Sequence, residues 1–208
     1  MAKKAEATGC EIKGIDKRNV TFRIVGTSPL IQHQWGAKAK LMMLEKKQGK
    51  KTKTRTICDP EAECIEATYR TDNGEYGVPL TAIKGSIICA AHNDLGIPKT
   101  LVMKALFIPC DDSKEILSME CSEPVMREDT VRIGPGSADL RYRPEFREWS
   151  VVVKCEIDAG LLQVKDLLTL VDRAGFGVGI GEWRPEKKGD KGRFKVDPTF
   201  PVVEEAIK

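Results

Sequence analysis

The stretch from Asp158 to Val196 limits what this chain can fold into more than any other. It reads as a helix, a glycine-rich turn and a basic hairpin returning to a strand. Asp158 is positioned to cap the helix, and Leu161, Val164, Leu168 and Val171 recur at helical spacing, with Leu167, Leu170 and Ala174 beside them. Gly175 sits where a left-handed terminating residue is wanted. Gly175, Gly177, Gly179 and Gly181 then alternate with Phe176, Val178 and Ile180, running into Glu182-Trp183-Arg184-Pro185. In an extended segment such glycines bare one face, so a backbone or a phosphate can approach closely. Lys187, Lys188, Lys191, Arg193 and Lys195 come directly after. Bare glycines beside cations make a cradle for a polyanion; the plainer alternative is a close-packed bulge with solvated charges. A dinucleotide fingerprint is excluded, because the helix precedes the glycines.

With 208 residues, the chain can bury one sizeable core. No apolar run is long enough to span a bilayer, and the opening Met-Ala-Lys-Lys begins no secretory signal. Seven cysteines, an odd number without a Cys-x-x-Cys pair, fit free thiols in a reducing compartment, the cytoplasm. A net charge of +3 announces no nucleic-acid binder by itself. Its distribution says more. Lys38, Lys40, Lys46, Lys47, Lys50, Lys51, Lys53 and Arg55 are opposed only by Glu45, so residues 48–56 are expected to form an exposed basic loop.

In chain order, residues 1–17 read as a polar arm or an edge strand. Val20–Val25 alternates as a half-buried strand, and Leu30–Trp35 continues as a loop or second extended piece. Ala37–Lys47 suits a short helix with Leu41 and Leu44 as its stripe. Residues 59–71 carry mixed signals. Asp72-Asn73-Gly74 is a turn, after which Thr81 caps a helix with Ile83, Ile87, Ala91 and Leu95 on one face, closed by Gly96. Strands are expected at 103–108, 116–121, 130–133, 150–157, 178–183 and 192–196, with an acidic turn at Asp111-Asp112. Between 134 and 148 lies a loop in which Arg141, Tyr142, Arg143, Phe146, Arg147 and Trp149 interleave cations with rings. That pattern suits phosphate pairing and base stacking, or equally an apolar anchor whose arginines pair with Asp139, Glu145 and Glu148. Two helices on one face of an antiparallel sheet, each between strands, is a ferredoxin-like (RRM-like) α+β plan. It forms a single domain over 1–208 with insertions at about 36–60 and 122–148.

Three pieces are similar to the RAMP superfamily of CRISPR systems: Pro79-Leu-Thr-Ala-Ile-Lys-Gly-Ser86; Gly175–Gly181 with the closing Gly192-Arg-Phe-Lys-Val196; and the strand from Val20 ending in Thr27-Ser-Pro-Leu30. Within it the chain resembles the backbone subunits that coat guide RNA. It also resembles uncharacterised bacteriophage proteins through Arg127-Glu-Asp129, Ala138–Phe146 and Gly181–Pro185. Glu182-Trp183-Arg184-Pro185 departs from the RNA-coating subunits. The resemblance implies a phage-associated protein that grips single-stranded nucleic acid, RNA before DNA, and assembles along it.

The binding residues this reading names are Lys46, Lys47, Lys50, Lys51, Lys53, Arg55, Arg141, Tyr142, Arg143, Gly177, Gly179, Gly181, Trp183, Arg184, Lys187, Lys188 and Arg193. The alternatives are a metal-independent endoribonuclease on the same scaffold and a phage structural protein without a nucleic-acid ligand. An endoribonuclease needs a general base, and the only histidines are His33 and His92. Cys89 and His92 stand three apart on one helix, half a zinc site with no second pair. No cofactor is implied, and non-catalytic binding is the expectation.

Overall fold

The computed structural model describes residues 14–36, 41, 43–45, 47–49, 59–132 and 138–207. The elements run β1 (Lys17–Gly26), β2 (Leu30–Ile31), α1 (Pro60–Glu66), β3 (Gly77–Pro79), α2 (Leu80–Leu95), α3 (Lys99–Ala105), β4 (Leu106–Phe107), β5 (Ile116–Ser118), β6 (Glu120–Cys121), β7 (Val125–Arg132), β8 (Ala138–Phe146), β9 (Trp149–Asp158), α4 (Val164–Arg173), β10 (Phe194–Val196) and β11 (Val203–Ala206). A π-helical turn, Ala174–Val178, prolongs α4, and a 3₁₀ turn spans Pro185–Lys187.

The principal sheet is antiparallel, in the order β10–β1–β9–β4. β1 and β9 pair along their whole length, from Lys17 opposite Asp158 to Val25 opposite Ser150. Each flank is shared by two short strands. β10 and β11 divide β1 between them, while β4 and β6 divide β9. Strict alternation puts Val20, Phe22 and Ile24 of β1 with Val151, Val153, Cys155 and Ile157 of β9 on one side, all buried. There they join the buried sides of α2 (Ile83, Ile87, Ala90, Ala91) and α4 (Leu167, Leu170, Val171) in one apolar core. A smaller antiparallel sheet, β2–β8–β7, and the pair β3–β5 complete the fold.

Several expectations are corrected. Residues 99–105 form a helix, not the start of a strand at 103: Pro98 opens α3, which buries Val102 and Ala105 three positions apart. The arginine-rich segment is β8, paired with all of β7 from Val125 opposite Glu145 to Arg132 opposite Ala138, so the expected loop is a long hairpin. Asp158 ends β9 and does not cap α4, whose first residue is Val164. Its carbonyl instead accepts from the Leu161 and Leu162 N–H groups in a turn. Leu161 is thereby left out of the helix and exposed, and the buried stripe centres on Leu167, Leu170 and Val171. Thr81 does not cap α2, which begins at Leu80 behind Pro79 without a side-chain cap. Leu95 is exposed at its end, while Gly96 closes the helix in the left-handed conformation, at φ 66°.

The mixed segment at 59–71 resolves into α1. Asp59 caps it by accepting from the Glu61 and Ala62 N–H groups. Leu41, Met43, Leu44, Glu45 and Lys47 are helical, and Leu41 and Leu44 face solvent. Lys46, Lys50, Lys51, Lys53 and Arg55, and residues 1–13, lie outside the described residues.

Candidate nucleic-acid interface

The glycine segment is neither a strand nor capped by a left-handed Gly175. Gly175 continues the helical path, and a Cβ there would collide with the Phe194 carbonyl of β10. Its missing side chain lets helix and strand backbones touch. The wide turn ends when the Gly179 N–H donates to the Ala174 carbonyl at 2.8 Å. Gly179 and Gly181 then take φ values of +71° and +77°, a region that side chains rarely adopt. A Cβ on Gly177 would meet only Asp94 Oδ2, at 3.7 Å. The three glycines therefore do not share one face, and the expected strand at 178–183 is absent because two left-handed residues break it.

The segment from Ile180 to Gly192 is stitched to the first quarter of the chain. The Glu182 N–H donates to the Ile31 carbonyl, the Gly192 N–H to the Pro29 carbonyl and the Ile180 N–H to the Gly192 carbonyl, all at 2.8–2.9 Å. These bonds hold Val178–Gly181 opposite the N-terminal half of α2. Between them lies a groove of about 410 Å³. One wall is Thr81, Ala82, Gly85, Ser86 and Cys89. The other is Gly179, Ile180, Gly181, Arg184 and Glu186, with Lys99 at the rim. Gly85 matters here, since a Cβ added to it would meet nothing within 4 Å. The uncapped start of α2 adds the positive end of a helix dipole to this wall.

The structure brings Gly179, Gly181 and Arg184 to this groove. Arg184 is held by Glu186, with Nη2 to Oε2 at 2.8 Å, and donates from Nη1 to the Gly181 carbonyl at 3.0 Å. Lys187 and Lys188 are exposed on the turn beyond, and the Arg193 guanidinium lies 4.8 Å over the exposed Phe176 ring. Trp183 is exposed at φ 55°, a rare conformation for a large side chain. Thr81, Gly85, Ser86 and Lys99 were not singled out as site residues by the sequence. The nearest signal was the glycine within Pro79–Ser86, an odd residue for the middle of a helix.

The hairpin arginines sit elsewhere. Arg127, Asp129, Arg141, Arg143 and Glu145 share one face of β7–β8, and Arg127 stands directly opposite Arg143. Two like charges in that register repel unless an acid lies between them. Asp129 is that acid, with Oδ1 2.7 Å from Arg127 Nε and Oδ2 3.5 Å from Arg143 Nη1. Arg143 is buried and committed to internal partners, so it is not presented to a surface ligand as the interleaved pattern suggested. Arg141 is half-exposed and paired with Asp139 at 2.8 Å. Tyr142 points to the opposite side of the hairpin from these arginines by register.

Arg143 Nε also donates to His33 Nδ1 at 2.9 Å. Burial first, and then the Arg143 charge, hold the pKa of His33 below its ordinary value. An arginine cannot give up its proton, so the lone pair on Nδ1 is occupied and the ring proton sits on Nε2. In that tautomer His33 has no free lone pair with which to act as a base. His92 ends α2 on an exposed surface. Cys89 spends its thiol on Glu186 Oε1 at 3.3 Å and accepts from Asn93. Among the described residues no group of three or more His, Cys, Asp or Glu is arranged to hold a metal. No described helix is long and apolar enough to cross a membrane.

Fold and site together define a mixed α/β protein on antiparallel sheets, with a groove between a helix and a glycine-rich turn. No family model matches the chain, and no curated protein does. Among solved structures it is similar to Cmr6 from Pyrococcus furiosus at 10% identity and a TM-score of 0.45, over 88% of this chain and 100% of that one.

Proposed function

We propose that this chain is a single-stranded nucleic-acid binding protein of RAMP-like, ferredoxin-like fold, which seats a sugar–phosphate backbone in the groove between α2 and the glycine turn. RNA is its preferred ligand, and the protein assembles along the strand in the cytoplasm, in a phage-associated setting. The groove carries the reading. Gly85, Gly179 and Gly181 keep its walls low enough for a backbone to approach, Thr81 and Ser86 add hydroxyl groups, and Lys99 stands at the rim. The sheet order β10–β1–β9–β4 with α2 and α4 on one face supports the ferredoxin-like assignment. The exposed Lys187 and Lys188 extend the cationic track beyond the groove, and the basic residues of 46–55 are a further source of phosphate contacts on this reading. On this reading the two insertions of the single domain are the segment at about 36–60 and the β7–β8 hairpin with its flanks. The hydrogen bond from Arg143 to His33 Nδ1 favours binding over the ribonuclease alternative.

Gly85→Glu supplies the test, because the site is open and the helix gains a better former than glycine. Anisotropy titration with labelled single-stranded RNA and DNA should show binding by the parent, tighter for RNA. The variant should lose at least tenfold in affinity while melting at or above the parent temperature. Equal affinity of parent and variant removes the groove from the function, and an unbound parent removes the function itself. Gel filtration with and without RNA reads the assembly.

A further inference from the structure

A second cluster adjoins the groove, where the 32–35 segment approaches the 181–184 turn. The Glu182 N–H bond to the Ile31 carbonyl brings Glu182-Trp183 to the start of the stretch that carries His33-Gln-Trp35, and the Glu182 charge reaches His33. Each joins a polar group capable of hydrogen bonding to an exposed tryptophan, with Trp35 at 52% and Trp183 at 42% exposure. Gln32 beneath them is buried and fully committed, donating to the Gly77 carbonyl and accepting from the Tyr69 N–H, so it fixes the segment. His33 is half-buried, and Glu182 lies near enough to oppose the fall in its pKa and to help raise that of Tyr69.

The chemistry of the pair is specific. Arg143 fills Nδ1, so His33 presents an Nε2–H donor and stays neutral. That donor has no hydrogen-bond partner among the described residues. Glu182 presents two acceptor oxygens and no donor. A donor beside a two-oxygen acceptor complements an acceptor flanked by two adjacent donors. Among the bases only the Watson–Crick edge of guanine has that order: O6, N1–H and N2–H₂. Uracil and cytosine would turn O2 towards the carboxylate, and adenine offers it a single N–H group. The tryptophans supply the stacking surface that every base accepts.

We propose that His33 and Glu182, flanked by Trp35 and Trp183, form a nucleobase pocket that reads guanine in a bound single strand. The pocket rests on the nucleic-acid reading and adds sequence preference to it. The groove holds the backbone without regard to sequence, and the pocket sets the register.

The test uses labelled nine-residue RNAs of adenosine with a central guanosine, inosine or adenosine. The parent should prefer guanosine to adenosine by roughly tenfold or more, as one well-formed bidentate contact allows. Inosine, which lacks N2–H₂, should fall between. Glu182→Gln replaces one acceptor oxygen with a donor that faces the guanine N–H groups, and should bring the guanosine-to-adenosine ratio close to one. His33→Ala, checked by thermal melting because Arg143 loses a partner, should do the same. Trp183→Ala should weaken all three RNAs alike. A parent without preference, or a preference that survives Glu182→Gln, overturns the proposal. If the parent binds no RNA, guanosine monophosphate decides by tryptophan fluorescence. Saturable quenching that adenosine monophosphate does not reproduce upholds the pocket, and equal responses to the two nucleotides overturn it.

Discussion

At the scale of single residues, the hairpin network shows how a charge pattern misleads. Asp129 bridges two arginines forced into register, Arg127 pairing with Glu145 as well, and its removal leaves Arg143 buried with a neutral imidazole as its remaining hydrogen-bond partner among the described residues. Asp129→Ala is expected to cost about 3–5 kcal/mol in urea unfolding, the usual result of breaking a buried pair from one side. His33 gives a pH signature of known sign. Its pKa in the folded chain lies below the ordinary 6.5, so the unfolded chain takes up a proton near that pH and the native chain does not. The stability this contributes is whole above 6.5 and is lost as pH falls towards the folded value. His33→Gln keeps an acceptor for Arg143 and should flatten the difference between urea midpoints at pH 7 and pH 5.5. Arg143 and Arg141 push the histidine towards neutrality, and Glu182 and Glu63 oppose them.

At the scale of elements, the glycines divide into three kinds with different expected costs. Gly175, Gly189 and Gly192 admit another backbone, and a Cβ would strike the carbonyls of Phe194, Trp183 and Ile180 respectively. Gly192→Ala should cost about 1–3 kcal/mol from overpacking, with further loss from its φ of +64°. Gly179 and Gly181 are held at positive φ, and Gly181 also leaves room for the Ile31 carbonyl, so Gly179→Val strains the turn and cannot separate folding from binding. Gly85 is spatial, and Gly85→Ala should raise stability by about 0.5–1 kcal/mol in thermal or chemical melts. Sequence alone shows all of these as one letter. It made β1, β9 and the body of α2 legible because alternation and helical spacing there are enforced by one shared core. It misplaced α3, β8 and the ends of α4, where a seven-residue helix carries too few turns for a period and a strand full of arginines hides its buried side. The candidate groove was half legible. Its glycine wall stood out in the sequence, while its helix wall consists of ordinary small residues that only the packing of α2 brings opposite.

At the scale of the whole molecule, the two cationic tracks can be separated by salt. Neutralising four lysines among Lys46, Lys47, Lys50, Lys51 and Lys53 should lower the slope of log affinity against log salt by about 3, at ~0.7 per contact for a single strand. Gly85→Glu should lower affinity at every salt concentration, since it blocks the groove. An unchanged slope in the lysine variant would assign the 46–55 segment to solvent.

The central place of β1 in the sheet constrains the order of events on the ribosome. This strand emerges early, yet its neighbours in the sheet, β9, β10 and β11, are made from residues 149–158, 194–196 and 203–206. Until those arrive, Val20, Phe22 and Ile24 have no sheet to join, and a strand bare on both edges is a hazard in a crowded cell. The glycine turn waits in the same way, because its hydrogen bonds end on Pro29 and Ile31. A nascent chain halted before residue 149 would therefore have neither its central sheet nor its groove, and its opening strand would be left to a chaperone.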